Sequence, residues 1–289
     1  MTAGREDEPP FAHVAIVGLG LIGGSIARDL RARYRSARLT GIDRPGVSSL
    51  ALERGIVQEV RTSATELSDA DLIVLATPVS EILQWIGVLG QAKTQAVVTD
   101  VGSTKRLIVS RAQQAGLDQF VGGHPMAGAE RSGLDVSREG LFRGRPWFLC
   151  PAAGASGASR DRVSRLIEAL GAIPTTVSPA AHDRTMAYIS HVPQLLASAL
   201  MATAGDALGK QQLAHAGRAF DEMTRLASSP ASMWESVFET NADYIAEAVK
   251  AFSGALSPSL ATKPAEVRDL FERANRWRAD LTSTRGPES

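Results

Sequence analysis

The 289-residue sequence contains a single cysteine, Cys150, and therefore has no second thiol with which to form an internal disulfide. It also lacks an excess of charge of either sign, since 31 Lys and Arg side chains balance 31 Asp and Glu side chains. We therefore expect no global field that would favour nucleic acid or an anionic membrane as a partner. Long apolar runs are missing too, and none approaches the roughly 20 residues of a membrane helix. With no apolar leader in the first ten residues, we expect a cytoplasmic protein, and in that setting Cys150 is expected to be a small buried hydrophobe.

The first half of the chain alternates predicted strands with predicted helices. Strands are predicted at 14–17, 38–43, 71–76 and 96–100, with helices at 21–34, 80–89 and 104–115 between them. Further on we predict a loop region at 121–146, a strand at 146–151, a helix at 159–170 and a strand at 173–177. Alternation of this kind indicates a parallel sheet with helices on both faces.

From residue 179 the pattern becomes helical. We predict helices at 180–206, 210–219, 221–227, 231–252 and 264–282. The expected fold is therefore an α/β Rossmann-type dinucleotide-binding domain at 11–178, followed by an all-α domain at 179–283. The long, alanine-rich apolar faces suggest helices that pack on other helices across a subunit interface, which favours a homodimer.

A glycine-rich loop follows the first strand and opens the first helix. Its spacing, Gly18-x-Gly20-x-x-Gly23, allows a tight turn and a close approach of the backbone to a pyrophosphate, with the helix N-terminus facing the phosphates. Asp43, 20 residues after Gly23, ends the second strand, where a carboxylate accepts the ribose hydroxyls and repels a 2′-phosphate. NAD is therefore expected rather than NADP, although the neighbouring Arg44 could hold a phosphate. The predicted cofactor contacts are Gly18, Gly20, Leu21, Ile22, Gly23, Asp43, Arg44, Thr77, Pro78 and Asp100.

Two further segments place reactive side chains at the same sheet edge. Ser103 lies just beyond the strand that ends at Asp100, and His124 lies in a glycine-rich loop at the end of another strand. Ligands bind at the carboxyl edge of such sheets. Ser103 and His124 are therefore expected to face the nicotinamide ring.

The sequence resembles the prephenate/arogenate dehydrogenase family over about residues 12–280. No single motif is specific, but their joint order is. The matching segments are the glycine loop, Ala76-Thr77-Pro78, 100–105, 123–133, Leu141-Phe142 with Trp147, His182-Asp183, 190–193, 223–229 and Met233-Trp234.

The resemblance implies a small-molecule substrate, prephenate, and a reaction. Hydride leaves C4 of a cyclohexadienol for NAD, the ring carboxylate leaves as carbon dioxide, and the ring becomes aromatic as 4-hydroxyphenylpyruvate forms. His124 would accept the proton of the 4-hydroxyl, Ser103 would hydrogen-bond the same hydroxyl or orient His124, and Arg225 would bind a substrate carboxylate. Only NAD is expected as a cofactor, with no metal.

The sequence departs from the family pattern at Gln194, where many members have a second histidine after the proline. Gln194 is expected to contact the substrate, but it cannot carry charge. Members that use arogenate tend to place an acid just before the Met-Trp element, and this chain has none there, which favours prephenate. The roles of His182, Asp183 and His191 stay open between structure and catalysis.

Several alternatives remain at this point. Arogenate or 4-amino-4-deoxyprephenate would use the same residues. A hydroxyacid dehydrogenase or an imine reductase of the same fold usually places a lysine or aspartate in the helical domain as proton donor. A non-catalytic NAD-binding sensor would need the glycine loop and Asp43, but not Ser103, His124 and Arg225.

Overall fold

The computed structural model describes residues 8–128, 131–152, 154–260 and 264–285. Its strands are β1 (His13–Val17), β2 (Arg38–Ile42), β3 (Glu59–Val60), β4 (Leu72–Leu75), β5 (Val97–Asp100), β6 (Phe120–Pro125), β7 (Pro146–Pro151) and β8 (Ile173–Thr176). They form one eight-stranded sheet in the order β3-β2-β1-β4-β5-β6-β7-β8. The predicted Rossmann-type sheet is thus confirmed, and β1 lies between β2 and β4, where the strand order reverses.

The alternation predicted a parallel sheet, but one strand pair is antiparallel. β7 runs antiparallel to β6, with Gly123 opposite Leu149 and His124 opposite Phe148, while β8 returns parallel to β7. An antiparallel pair needs no crossover helix, and the described residues of the β6–β7 connection contain a 3₁₀ turn at Leu134–Val136 but no α-helix.

Helices cover both faces of this sheet and complete two apolar cores. They are α1 (Leu21–Arg33), α2 (Pro45–Glu53), α3 (Val79–Gln91), α4 (Arg106–Gln114) and α5 (Gly157–Ala169). Alternate residues of each strand face opposite ways, so Val14 and Ile16 pack with α1 and α5, while Ala15 and Val17 pack with α3 and α4. Cys150 is buried in the second core, as expected, and burial raises the pKa of its thiol to about 12.

The second half is helical, as predicted, but its helices break at other residues. They are α6 (Pro179–Met186), α7 (Val192–Leu213), α8 (Arg218–Thr224), α9 (Ala231–Thr240), α10 (Ala242–Leu260) and α11 (Pro264–Arg285). The predicted helix 180–206 contains a π-helical turn at Ala187–His191 between α6 and α7. α7 also continues past residue 206 and kinks at Gly209, where φ is +66°. The predicted helix 231–252 is two helices separated at Asn241.

The described residues divide into two compact units, one ending at Asn241 and one beginning at Ala242. The first contains the sheet and the helices through α9, and the second consists of α10 and α11. The domain boundary predicted between residues 178 and 179 falls inside the first unit and stays a prediction. Among the described residues, no helix is long and apolar enough to cross a membrane.

Candidate active site

The glycine loop joins β1 to α1 at the carboxyl edge of the sheet. Gly18 has φ +93°, and a Cβ atom there would lie 2.5 Å from the Ala76 carbonyl oxygen. At Gly23 a Cβ atom would lie only 1.9 Å from the Gly18 oxygen, so this glycine lets the helix pack on its own loop. Nothing in the described structure lies within 4 Å of a Cβ atom built on Gly20. The protein's own packing therefore requires Gly18 and Gly23, whereas the space beside Gly20 is open to a ligand.

Asp43 is bound to this loop from the end of β2. Its carboxylate accepts the Leu19 N–H at 2.7 Å and the Arg44 N–H at 2.7 Å. Each carboxylate oxygen keeps a lone pair for a ribose hydroxyl. Arg44 is almost fully exposed and its Nε lies 3.8 Å from Asp43.

A cavity of about 330 Å³ opens beside the glycine loop, and most of the predicted reactive residues line it. Its lining includes Ser103 from the β5–α4 loop and His124 from the end of β6. The first turn of α1 enters it with no acidic side chain and no side-chain cap on its N–H groups, which favours an anionic ligand. The lining residues are Gly20, Leu21, Ile22, Ala76, Thr77, Pro78, Val79, Val101, Gly102, Ser103, His124, Pro125, Ala127, Gly128, Arg131, Ser132, Gly133, Met233, Ser236 and Val237.

Two independent observations indicate that the cavity suits a dinucleotide. The open space at Gly20 adjoins the uncapped start of α1, where a pyrophosphate would lie. The buried Thr77 hydroxyl also has no hydrogen-bond partner among the described residues, and Thr77 lines the cavity. Among the described residues, no group of three or more His, Cys, Asp and Glu side chains could hold a metal ion.

Asp100, predicted to contact the cofactor, is fully buried and already surrounded by donors. Its carboxylate pairs with the Lys105 ammonium and accepts the Gly102 N–H at 2.8 Å and the Gly123 N–H at 3.0 Å. It thereby ties the Ser103 loop to the strand that carries His124. The geometry favours a role in shaping the site, and contact with the cofactor stays a prediction.

His124 contacts a second histidine rather than a serine. Its Nδ1 lies 2.8 Å from Nε2 of His182, and His182 Nδ1 lies 2.8 Å from Oδ1 of Asp183. Burial lowers the pKa of His124 well below its usual value, and repulsion from His182 and Lys105 adds to this effect. His124 is therefore a neutral imidazole near pH 7 and able to accept a proton.

The remaining two predicted substrate contacts lie outside the cavity lining. Arg225 is exposed at the start of a 3₁₀ turn, Arg225–Ser228. Gln194 is buried in α7, where its amide donates to the Leu226 carbonyl at 2.8 Å and thereby fixes that turn. The structure brings Ser103, His124, Thr77 and the α1 turn together, and leaves substrate contacts of Arg225 and Gln194 as predictions.

The sequence reasoning missed some cavity residues. Arg131 lines the cavity beyond His124, and Met233, Ser236 and Val237 reach it from α9. Arg131 and Met233 lay inside the family-like segments, but no spacing rule assigned them a function. Ala129 and Glu130 of the same histidine loop lie outside the described residues.

The fold and the glycine loop define a dinucleotide-binding protein of the Rossmann class. Residues 26–174 match the family model described as "Prephenate dehydrogenase, nucleotide-binding domain", and residues 178–261 match "Prephenate dehydrogenase, dimerization domain". The chain belongs to the prephenate dehydrogenase family, as the resemblance predicted.

Individual relatives agree with this assignment. A prephenate dehydrogenase of Bacillus subtilis is 32% identical over 240 residues, which are 80% of this chain and 65% of that protein. The crystal structure of an Aquifex aeolicus prephenate dehydrogenase in complex with hydroxyphenyl propionate and NAD+ is 30% identical, with a TM-score of 0.86 over 93% of this chain and 98% of that chain. A Synechocystis arogenate dehydrogenase is 29% identical, with a TM-score of 0.80 over 93% of this chain and all of that chain (100%). The match thus spans just under two thirds of the Bacillus relative and nearly the whole of the two solved chains.

Proposed function

We propose that this chain is an NAD-dependent dehydrogenase that converts prephenate to 4-hydroxyphenylpyruvate by oxidative decarboxylation. The observation that carries the proposal is the single cavity that holds His124 and Ser103 beside the open Gly20 and the start of α1. A hydride acceptor and an acid–base group are the two functions that the reaction needs. The names of the relatives support the same activity.

The chain's own residues bind, orient and move a proton. The α1 turn and Thr77 would hold NAD, with Asp43 at its ribose, and NAD supplies the hydride acceptor. His124 takes the proton of the 4-hydroxyl as the C4–H bond breaks, so that C4 becomes a carbonyl carbon before the ring aromatises. Ser103 hydrogen-bonds the same hydroxyl and holds it against His124.

Prephenate is favoured over arogenate by the charge of the cavity. Arogenate carries an ammonium group, which a nearby carboxylate would pair with. The described lining contains the Arg131 guanidinium and no Asp or Glu. A dianionic substrate fits such a lining better than one with an additional positive charge.

We further propose that the protein acts as a homodimer. The match of residues 178–261 to a dimerization domain supports this, as do the apolar faces of the helical half. Light scattering on the purified protein measures it directly, and a monomer at micromolar concentration would rule it out.

The activity is tested by the rate of NADH formation with prephenate, arogenate and 4-amino-4-deoxyprephenate, each supplied with NAD. We expect turnover of prephenate with the highest kcat/KM, and equal or better use of arogenate would overturn the substrate assignment. His124→Ala is expected to lose at least about a hundredfold in kcat while binding NAD normally. An inactive wild type that binds NAD would indicate a sensor, and a His124→Ala variant of full activity would refute the proton-transfer mechanism.

A further inference from the structure

Two side chains, His182 and Asp183, connect the candidate base His124 to the backbone of the Ser103 loop. His124 Nδ1 faces His182 Nε2 at 2.8 Å, and His182 Nδ1 faces Asp183 Oδ1 at 2.8 Å. Asp183 in turn lies against the start of α4, two residues beyond Ser103. His182 and Asp183 are both fully buried.

The direction of each hydrogen bond can be derived, starting from Asp183. Its Oδ1 accepts the Lys105 backbone N–H at 2.6 Å, and its Oδ2 accepts the Arg106 backbone N–H at 2.9 Å. Backbone amides only donate, so both oxygens act as acceptors, an arrangement that favours the ionised carboxylate. Burial works to raise the pKa of Asp183, but the hydrogen bonds from His182, Arg106 and Lys105 outweigh it and hold the pKa below its ordinary value.

An ionised Asp183 fixes the proton on His182. Since Asp183 Oδ1 is an acceptor, His182 Nδ1 must carry the hydrogen. Burial lowers the pKa of His182 even against the hydrogen bond to Asp183, so the ring is neutral and its Nε2 has a bare lone pair. That lone pair can only accept, and the group facing it is His124 Nδ1.

His124 is then held in one tautomer. Its Nδ1 carries the hydrogen that is donated to His182, which leaves Nε2 without one. Nε2 is therefore the atom able to take a proton from a ligand in the cavity. In free solution a histidine is not confined to this form, so the buried pair supplies the constraint.

We infer that His182 and Asp183 are positioning residues that hold His124 as the Nδ1–H tautomer, with Nε2 as the proton acceptor of the reaction. The inference rests on the proposed function, because it concerns the same proton transfer. It also explains why Asp183 binds the backbone at Lys105 and Arg106: one carboxylate sets both the tautomer of the base and the start of the helix after Ser103.

Two variants of His182 separate this role from mere packing. His182→Leu removes the acceptor for His124, whereas His182→Gln keeps a side-chain oxygen that can accept the same hydrogen. We expect kcat to fall about a hundredfold in His182→Leu and to recover to within about tenfold of wild type in His182→Gln, with little change in the KM for NAD. Retention of kcat within about threefold in His182→Leu, or equal losses in both variants, would overturn the inference.

His13 provides the matched control. It is also buried, and its two ring nitrogens contact the Asp69 carbonyl at 2.9 Å and the Thr40 hydroxyl at 2.8 Å. His13→Leu and His13→Gln therefore disturb a buried histidine to a similar degree at a site remote from the cavity. We expect both variants to keep kcat near wild type, so a loss in His182→Leu beyond theirs measures the positioning effect.

The tautomer itself is read from the ring ¹⁵N shifts of histidine-labelled wild type, assigned by the signal that His124→Gln removes. We expect a protonated Nδ1 and a bare Nε2 on His124, and the reverse would refute the inference even if no His182 variant folds. Failure of the proposed function is distinguishable, because it leaves the wild type inactive with prephenate. Failure of the inference leaves an active wild type with the other tautomer.

Discussion

Gly20 and Gly23 are three residues apart in one loop, yet the packing of the protein requires only Gly23, whereas Gly20 leaves space for a ligand. A methyl group on Gly23 would collide with the Gly18 carbonyl oxygen at 1.9 Å, while one on Gly20 would meet nothing within 4 Å. We expect Gly23→Ala to destabilise the fold by about 1–3 kcal/mol or more, as overpacking does. Gly20→Ala should leave the melting temperature near wild type and raise the KM for NAD at least about tenfold, because the methyl group occupies the space for the pyrophosphate.

Thermal unfolding followed by circular dichroism, together with NAD titration, checks both variants. Ala32→Gly, a change at an exposed position in the last turn of α1, reports the cost of an altered helix propensity alone. Equal melting temperatures for the Gly20 and Gly23 variants would contradict the assignment of separate roles.

At the scale of secondary structure, the π-helical turn Ala187–His191 sets the relation between α6 and α7. α6 buries His182 and Asp183, and α7 buries Gln194. A π turn closes hydrogen bonds over five residues rather than four, and Pro193, which lacks an N–H, is the second residue of α7. The two helices therefore do not share the hydrogen-bond register of one continuous α-helix.

Insertion of one alanine after Ile189 tests this relation. Ile189 is 59% exposed, so an added side chain there meets little packing. The π turn already contains one residue more than an α turn, so we expect the insertion to rotate α6 by about 100° relative to α7, since each residue of an α-helix turns by that angle. His182 would then leave His124, and kcat should fall at least about a hundredfold.

Ile189→Ala is the matched control, because it alters the same exposed position without changing the register. We expect it to keep nearly full activity. An insertion variant that folds and retains kcat would show that the register across this turn is unimportant for the site.

The strands that could be predicted from the sequence share one physical property. β1, β4 and β5 are buried on both faces, so each is a short, mainly apolar run. β3 has two residues and is too short for any periodic signal. The break at Asn241 was missed because its cause is tertiary: the side chain donates to the Asp183 carbonyl at 2.8 Å and accepts from Arg106 at 3.2 Å.

For the site, too, contacts with a local signal could be predicted and contacts with a tertiary cause could not. Ser103 and His124 could be placed together because the ends of parallel strands meet at one sheet edge. His182 lies in α6, 58 residues beyond His124 in β6, so no local pattern reveals that contact. Asp100 was assigned to the cofactor from its position at a strand end, whereas its burial against Lys105 depends on the fold.

At the scale of the whole molecule, buried neutral histidines make stability depend on pH. Burial lowers the pKa of His191 to about 4, outweighing the attraction of Asp183. Between pH 6.5 and 4 the unfolded chain binds a proton at this histidine and the native state does not, so the free energy of unfolding falls as the pH falls. From pH 7.5 to pH 5 the loss from His191 is about 2 kcal/mol.

Urea unfolding at pH 7.5, 6 and 5 measures this loss, and His191→Gln provides the comparison. His124 and His182 act in the same direction, while Asp29, whose pKa burial raises, acts in the opposite one. These groups are present in both proteins, so their contributions cancel in the difference. We expect the variant to lose about 2 kcal/mol less than wild type over this range. An identical pH dependence would show that His191 is protonated equally in both states, and hence that its burial does not keep it neutral.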